Sequence, residues 1–205
     1  LATGEIVTFH GQHVNISENI DRILRREIES FLNSAVRAIK DGLQAVLAGL
    51  EQKIGFLFQQ QQAFDKAIEK LRLTNPVLAA YLQATRAHWS ERLVITRNEL
   101  HGTWVLPRTS YNVDEENRVA TMVEPEVKGL AVTTFVSQML DRVCCFVEEV
   151  VTFALSKQLP QFIWVTQIPI ANRKPALPHR FVLALRGGGS TEWQLTVTTS
   201  PFDET

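Results

Sequence analysis

The sequence predicts an α+β protein: a bundle of about four helices with a small antiparallel β-sheet formed by C-terminal strands, which an N-terminal strand can join. Three observations carry that expectation. Between residues 17 and 159, long stretches repeat apolar side chains at helical spacing. The flanking runs, 5–16 and 162–199, are short and hold strand-forming residues between turn signals. No period of 20–50 residues recurs, which argues against a solenoid. The expected organisation is a single domain over 1–205, with a helical core at 17–159, a β-hairpin insertion at 103–129, and terminal strands at 5–16 and 162–199 forming the sheet.

The elements follow in order. "EIVTFHGQHVNI" (5–16) has two short runs around His10, Gly11 and Gln12, a strand or small hairpin. From Ser17, a residue suited to an N-cap, Ile20, Leu24, Ile28, Phe31, Ala35, Ile39, Leu43 and Val46 recur at helical spacing. That helix can run to about Lys53, with Gly42, Gly49 and Gly55 as places to bend or stop. "FLFQQQQAFDKAIEKLRL" (56–73) predicts a second helix with Phe64, Ile68 and Leu71 inward. "TNP" (74–76) supplies a cap and a proline at the first position of a third helix, which should reach His101 with Leu78, Leu82, Trp89, Leu93 and Leu100 as its stripe. In 103–129, "DEEN" lies between the extended runs "TSYNV" and "RVATMV". Residues 130–159 form a fourth helix, apolar enough to be buried on more than one side, and Pro160 closes it. "FIWVTQI", "RFVLALR" and "EWQLTVTT" are strand candidates, the last two joined tightly enough by "GGGS" to pair.

Composition limits function. The chain has 205 residues, 45% hydrophobic, with 21 Lys and Arg against 22 Asp and Glu, a formal charge of -1. No global positive field gathers nucleic acid or an anionic membrane, so any phosphate contact must be local. Adjacent Cys144 and Cys145 are poorly placed for a mutual disulfide and have no zinc-type spacing. With no secretory leader and no apolar run of about 18 residues, the expectation is a cytoplasmic protein without a membrane partner.

The most suggestive stretch is "RNELHGTW" (97–104), where Arg97 and His101 stand one turn apart before Gly102. At about 100° per residue, Arg86, Ser90, Arg97 and His101 form a polar ridge bordering the stripe centred on Leu93. A ridge there can face a partly shielded cleft, where charge interactions strengthen. The competing explanation is structural: cations favour helix C-termini, and glycine is the common residue just past the last turn. Both stay open on sequence alone.

"RN", a short spacer and then "HG" near the end of a bundle helix resembles the signature of the HEPN superfamily, whose four-helix bundles include metal-independent endoribonucleases and toxin partners of nucleotidyltransferases. In that family an arginine and a polar residue precede a histidine by four to six intervening positions. Here three residues, Asn98 to Leu100, separate Arg97 from His101. The resemblance covers about residues 17–159 and not the strands. It implies Arg97, His101 and Asn98 as catalytic residues: His101 transfers a proton, Arg97 offsets growing phosphate charge, and Asn98 orients the site. Arg86 and Ser90 would extend substrate contact along the ridge. It also implies RNA or a nucleotide as ligand, no cofactor or metal, and pairing as a homodimer.

Other candidates are weaker. His10 and His13 on one strand would point to opposite faces, with no third ligand close in sequence. "RGGGS" lacks the lysine and helix of a phosphate loop. "NRKP" with Arg180 makes a small basic loop, a contact surface or plain solvated charge. Trp89, Trp104, Trp164 and Trp193 are spread one per region, which favours packing over base stacking. The competing function is a non-catalytic protein-interaction or regulatory module using a helix groove or a strand edge.

Overall fold

The computed structural model describes residues 7–10, 13–16, 20–49, 60–102, 109–114, 116, 119–173 and 180–185. It is an α+β helical bundle with small two-stranded antiparallel sheets, as the periodicities predict. The order is β1 (Val7–His10), β2 (His13–Ile16), α1 (Ile20–Gly49), α2 (Gln61–Thr74), α3 (Pro76–Thr85), a π-helical segment (Arg86–Ser90), α4 (Glu91–Gly102), β3 (Ser110–Asp114), β4 (Val119–Val123), β5 (Glu126–Val127), β6 (Leu130–Ala131), α5 (Val132–Gln158), β7 (Ile163–Gln167), a 3₁₀ turn (Ile170–Asn172) and β8 (Phe181–Leu185). Among the described residues each strand pairs only with its neighbour in sequence, giving four hairpins.

The chain forms two compact units, one of Leu1–Ala35 with Ile95–Asp141, the other of Val36–Val94 with Arg142–Thr205. Helices α1, α4 and α5 contribute residues to both. In the first unit the buried side chains include Ile28 and Leu32 of α1, Leu100 of α4, Val127 of β5, and Phe135 and Met139 of α5. Leu32, and not Phe31, takes the core position at that turn of α1; Phe31 is half-buried. The β5–β6 hairpin turns through Lys128 and Gly129, both at positive φ (54° and 79°), the conformation of a tight two-residue connection. Glu124 then caps α5, accepting from the Thr133 amide at 2.6 Å and its hydroxyl at 2.9 Å. A carboxylate there satisfies an orphan donor and complements the helix dipole.

In the second unit Phe64, Ile68 and Leu71 of α2 pack inward as their spacing predicts. Asn75 caps α3, its side chain accepting from the Leu78 amide at 3.3 Å, with Pro76 at the first position. The stripe residues Leu78, Leu82, Trp89 and Leu93 are buried here, as Leu100 is in the first unit. Phe146 of α5 stacks on Tyr81 with ring centroids 6.1 Å apart and meets Trp89 edge-on at 6.1 Å.

Several expectations change. His10 and His13 are register partners across a hairpin, so this N-terminal run closes on itself and does not join the C-terminal strands among the described residues. β8 pairs with β7, from Ile163 opposite Leu185 to Gln167 opposite Phe181. The candidate strand at 192–199 and Ser17 lie outside the described residues. Helix α5 is buried over about half its circumference, from Thr152 through Glu149 and Phe146 to Val143, and keeps one exposed stripe of Leu140, Val151 and Leu155. A hairpin at 126–131 was hidden because two-residue strands carry no measurable alternation.

Candidate anion-binding site

Two of the predicted polar residues, Arg86 and Ser90, begin and end a π-helical segment. Its backbone widens by one residue, with the Glu91 amide donating to the Arg86 carbonyl. The apolar stripe nonetheless keeps its phase across this segment, with Leu78, Leu82, Trp89 and Leu93 all buried. Arg86 and Ser90 turn inward: Arg86 is 7% exposed and Ser90 fully buried. The Arg86 guanidinium lies 4.7 Å over the Phe64 ring and pairs with Glu91 at 3.2 Å. Ser90 Oγ has no hydrogen-bond partner among the described residues. Both belong to the second unit, whereas Arg97, Asn98 and His101 belong to the first. Buried as they are, Arg86 and Ser90 form no exposed ridge.

Arg97, half-buried on α4, is oriented by two neutral groups. Its Nε donates to Asn33 Oδ1 on α1 at 2.9 Å, and a terminal nitrogen donates to Asn98 Oδ1 at 3.1 Å. Glu99, two residues further along α4 and therefore on another side of the helix, lies 2.5 Å from the Lys128 ammonium of the β5–β6 turn. No carboxylate pairs with Arg97 among the described residues. Its guanidinium is thus held at Nε and at one terminal nitrogen by neutral oxygens, which do not neutralise its charge. That bonding differs from a helix-end explanation, in which the cation would sit on the last carbonyls of its own helix. Asn98 is exposed. His101 occupies the last turn of α4, one turn beyond Arg97, and its side chain lies outside the described residues.

Sequence reasoning missed Asn33. Its signal was an asparagine inside a long helix, next to buried Leu32, where asparagine has no propensity reason to be. It also missed a second polar cluster. Tyr81 on α3 donates to Glu149 Oε2 on α5 at 2.5 Å, and Arg180, just before β8, donates to the other oxygen of Glu149 and to Glu148 at 3.1 Å. Burial, reinforced by the charge of Glu149, pushes the Tyr81 phenol above its ordinary range. Burial alone would lower the Arg180 guanidinium, but its hydrogen bond and charge interaction with Glu149 outweigh that and raise it. Arg180 is therefore no solvated loop charge; it clasps β8 to α5 with its own charge satisfied.

No group of three His, Cys, Asp or Glu placed to hold a metal occurs among the described residues. No helix there is long and apolar enough to cross a membrane. No family model, no curated protein and no solved structure matches this chain.

Proposed function

We propose that the protein acts on RNA as a HEPN-like, metal-independent endoribonuclease, with Arg97 as the phosphate contact and His101 as the proton-transfer group. The observation supporting this is the half-buried Arg97 guanidinium, fixed by Asn33 and Asn98 with no carboxylate partner among the described residues. Such a cation meets a phosphate without first breaking an ion pair. In the reaction, the ribose 2′-oxygen attacks phosphorus while the His101 imidazole takes its proton, the bond to the 5′-oxygen breaks, and that oxygen takes a proton from water. Arg97 stabilises the charge that grows on the phosphoryl oxygens. Phosphate contact rests on Arg97 and Asn98, because Arg86 and Ser90 are interior. The setting proposed with it is the cytoplasm, where the free thiols of Cys144 and Cys145 stay reduced.

The test is cleavage of structured and single-stranded RNA by purified protein in EDTA, comparing wild type with Arg97→Ala and His101→Ala. Wild type should cleave, and each variant should lose at least about a hundredfold, the scale of a lost transition-state charge contact or proton-transfer group. Equal activity in all three, or none in any, removes the proposal.

A further inference from the structure

Arg97 and Asn98 hold one another in a way that fixes what the amide can read. A terminal nitrogen of Arg97 donates to Asn98 Oδ1 at 3.1 Å, so the amide oxygen is occupied and the amide nitrogen is the end turned away from Arg97. That nitrogen can only donate. Asn98, itself exposed, shares one side of α4 with Ile95, 45% exposed, and with exposed Gly102; at 100° per residue the three fall within an arc of about 60°. All three belong to the first unit. Gly102 closes α4 outside the left-handed region, so no backbone need explains its missing side chain. A Cβ there would meet nothing within 4 Å among the described residues. The result is an open strip with an apolar side chain at one end, bare backbone at the other and an oriented donor between them.

We propose that this strip seats a nucleobase of the bound RNA, and that Asn98 selects the keto bases, uracil and guanine, over the amino bases, cytosine and adenine. The inference rests on the RNA reading of Arg97 and adds a specificity to it. Ile95 supplies apolar contact to the face of the base, and Gly102 lets the ring approach the helix backbone. The amide carries two N–H groups, enough for a phosphate oxygen beside Arg97 and a base carbonyl on the strip. The carbonyl is O4 of uracil or O6 of guanine. Cytosine and adenine carry an amino group at the same position, and two donors cannot bond to each other. An amide free to flip would accept either kind of base; the bond from Arg97 removes that freedom.

The test is fluorescence anisotropy at one fixed salt concentration with labelled single-stranded octamers. These are oligo(U), oligo(C), oligo(A), and oligo(A) with alternate adenines replaced by inosine, which puts a keto oxygen in place of the amino group. Uracil should bind about five- to tenfold more tightly than cytosine, and the inosine octamer should exceed oligo(A) by a similar factor, the scale of one discriminating hydrogen bond. Asn98→Ala should bring both ratios to about one, whatever happens to absolute affinity. Gly102→Leu should fill the strip and abolish both ratios with the melting temperature level or higher, since leucine is the better helix former. A fall in melting temperature would give the glycine a structural role and overturn the seat. Ratios preserved in either variant overturn it as well. Equal binding of all four octamers by wild type overturns the seat and leaves the Arg97 reading standing, whereas binding of none overturns both.

Discussion

Asn33→Asp separates an anion site from a merely structural one. The substitution keeps the shape of Asn33 and puts a carboxylate oxygen where its amide oxygen accepts from Arg97 Nε at 2.9 Å. If Arg97 only ties α4 to α1 within its unit, the change improves the tie: a charge-assisted bond replaces a neutral acceptor, and stability should stay level or rise by up to about 1 kcal/mol. If Arg97 awaits a phosphate, the new carboxylate neutralises it. Loss of one charged hydrogen-bonding contact is worth about 1.5–3 kcal/mol, or roughly a ten- to hundredfold weaker RNA complex at fixed salt. The log–log salt slope for single-stranded RNA should also fall by about 0.7, one released counterion. The assay is fluorescence anisotropy with labelled single-stranded RNA across a salt series, alongside thermal melting. Unchanged affinity and slope with an intact fold would refute the reasoning. Asn33→Ala supplies the contrast, since it frees Arg97 without neutralising it and should weaken binding less while lowering the melting temperature.

Three further outcomes follow from particular side chains. Tyr81 has its phenol raised above its ordinary value of 10.0, so the unfolded chain releases that proton first. Its stabilising contribution is complete below about pH 10 and declines above it; phenolate absorbance at Tyr81 should appear only together with unfolding, and Tyr81→Phe should remove that step. Ser90→Ala deletes a buried hydroxyl without a partner among the described residues and should stabilise by about 1 kcal/mol, while RNA binding stays as in wild type; a drop in melting temperature would mean that the hydroxyl is bonded. Gly42→Ala places a Cβ at ordinary contact distance, 3.5 Å, from Val147, so helix propensity alone should raise stability by about 1 kcal/mol in denaturant titration, and a loss would show that α1 and α5 resist the methyl group there.

What the sequence revealed, and what it hid, divides along a physical line. Periodicity reports which face of a helix is apolar, so the inward residues of α2 and the long stripe of α3 and α4 were legible before any coordinates. Local chemistry reports ends, so Asn75 and Pro76 marked the start of α3. Neither reports which face meets which. The bond from Arg97 to Asn33 joins positions 64 apart, and that from Arg180 to Glu149 joins positions 31 apart, with no pattern in the chain to announce either. The site prediction failed most at Arg86 and Ser90, which border the apolar stripe closely enough to be buried with it.

Three arginines show how far the surroundings decide the role of one residue type. Arg86 is sandwiched between an aromatic face and Glu91, so its charge is spent inside the second unit. Arg180 answers two glutamates and cannot release them without stranding Glu149, which is only 5% exposed, in a poorly hydrated site. Arg97 has the opposite arrangement. Amide oxygens fix its direction, Glu99 two residues on points to another side of α4, and the terminal nitrogens keep donors to spare. Direction without neutralisation is what binding an anion requires.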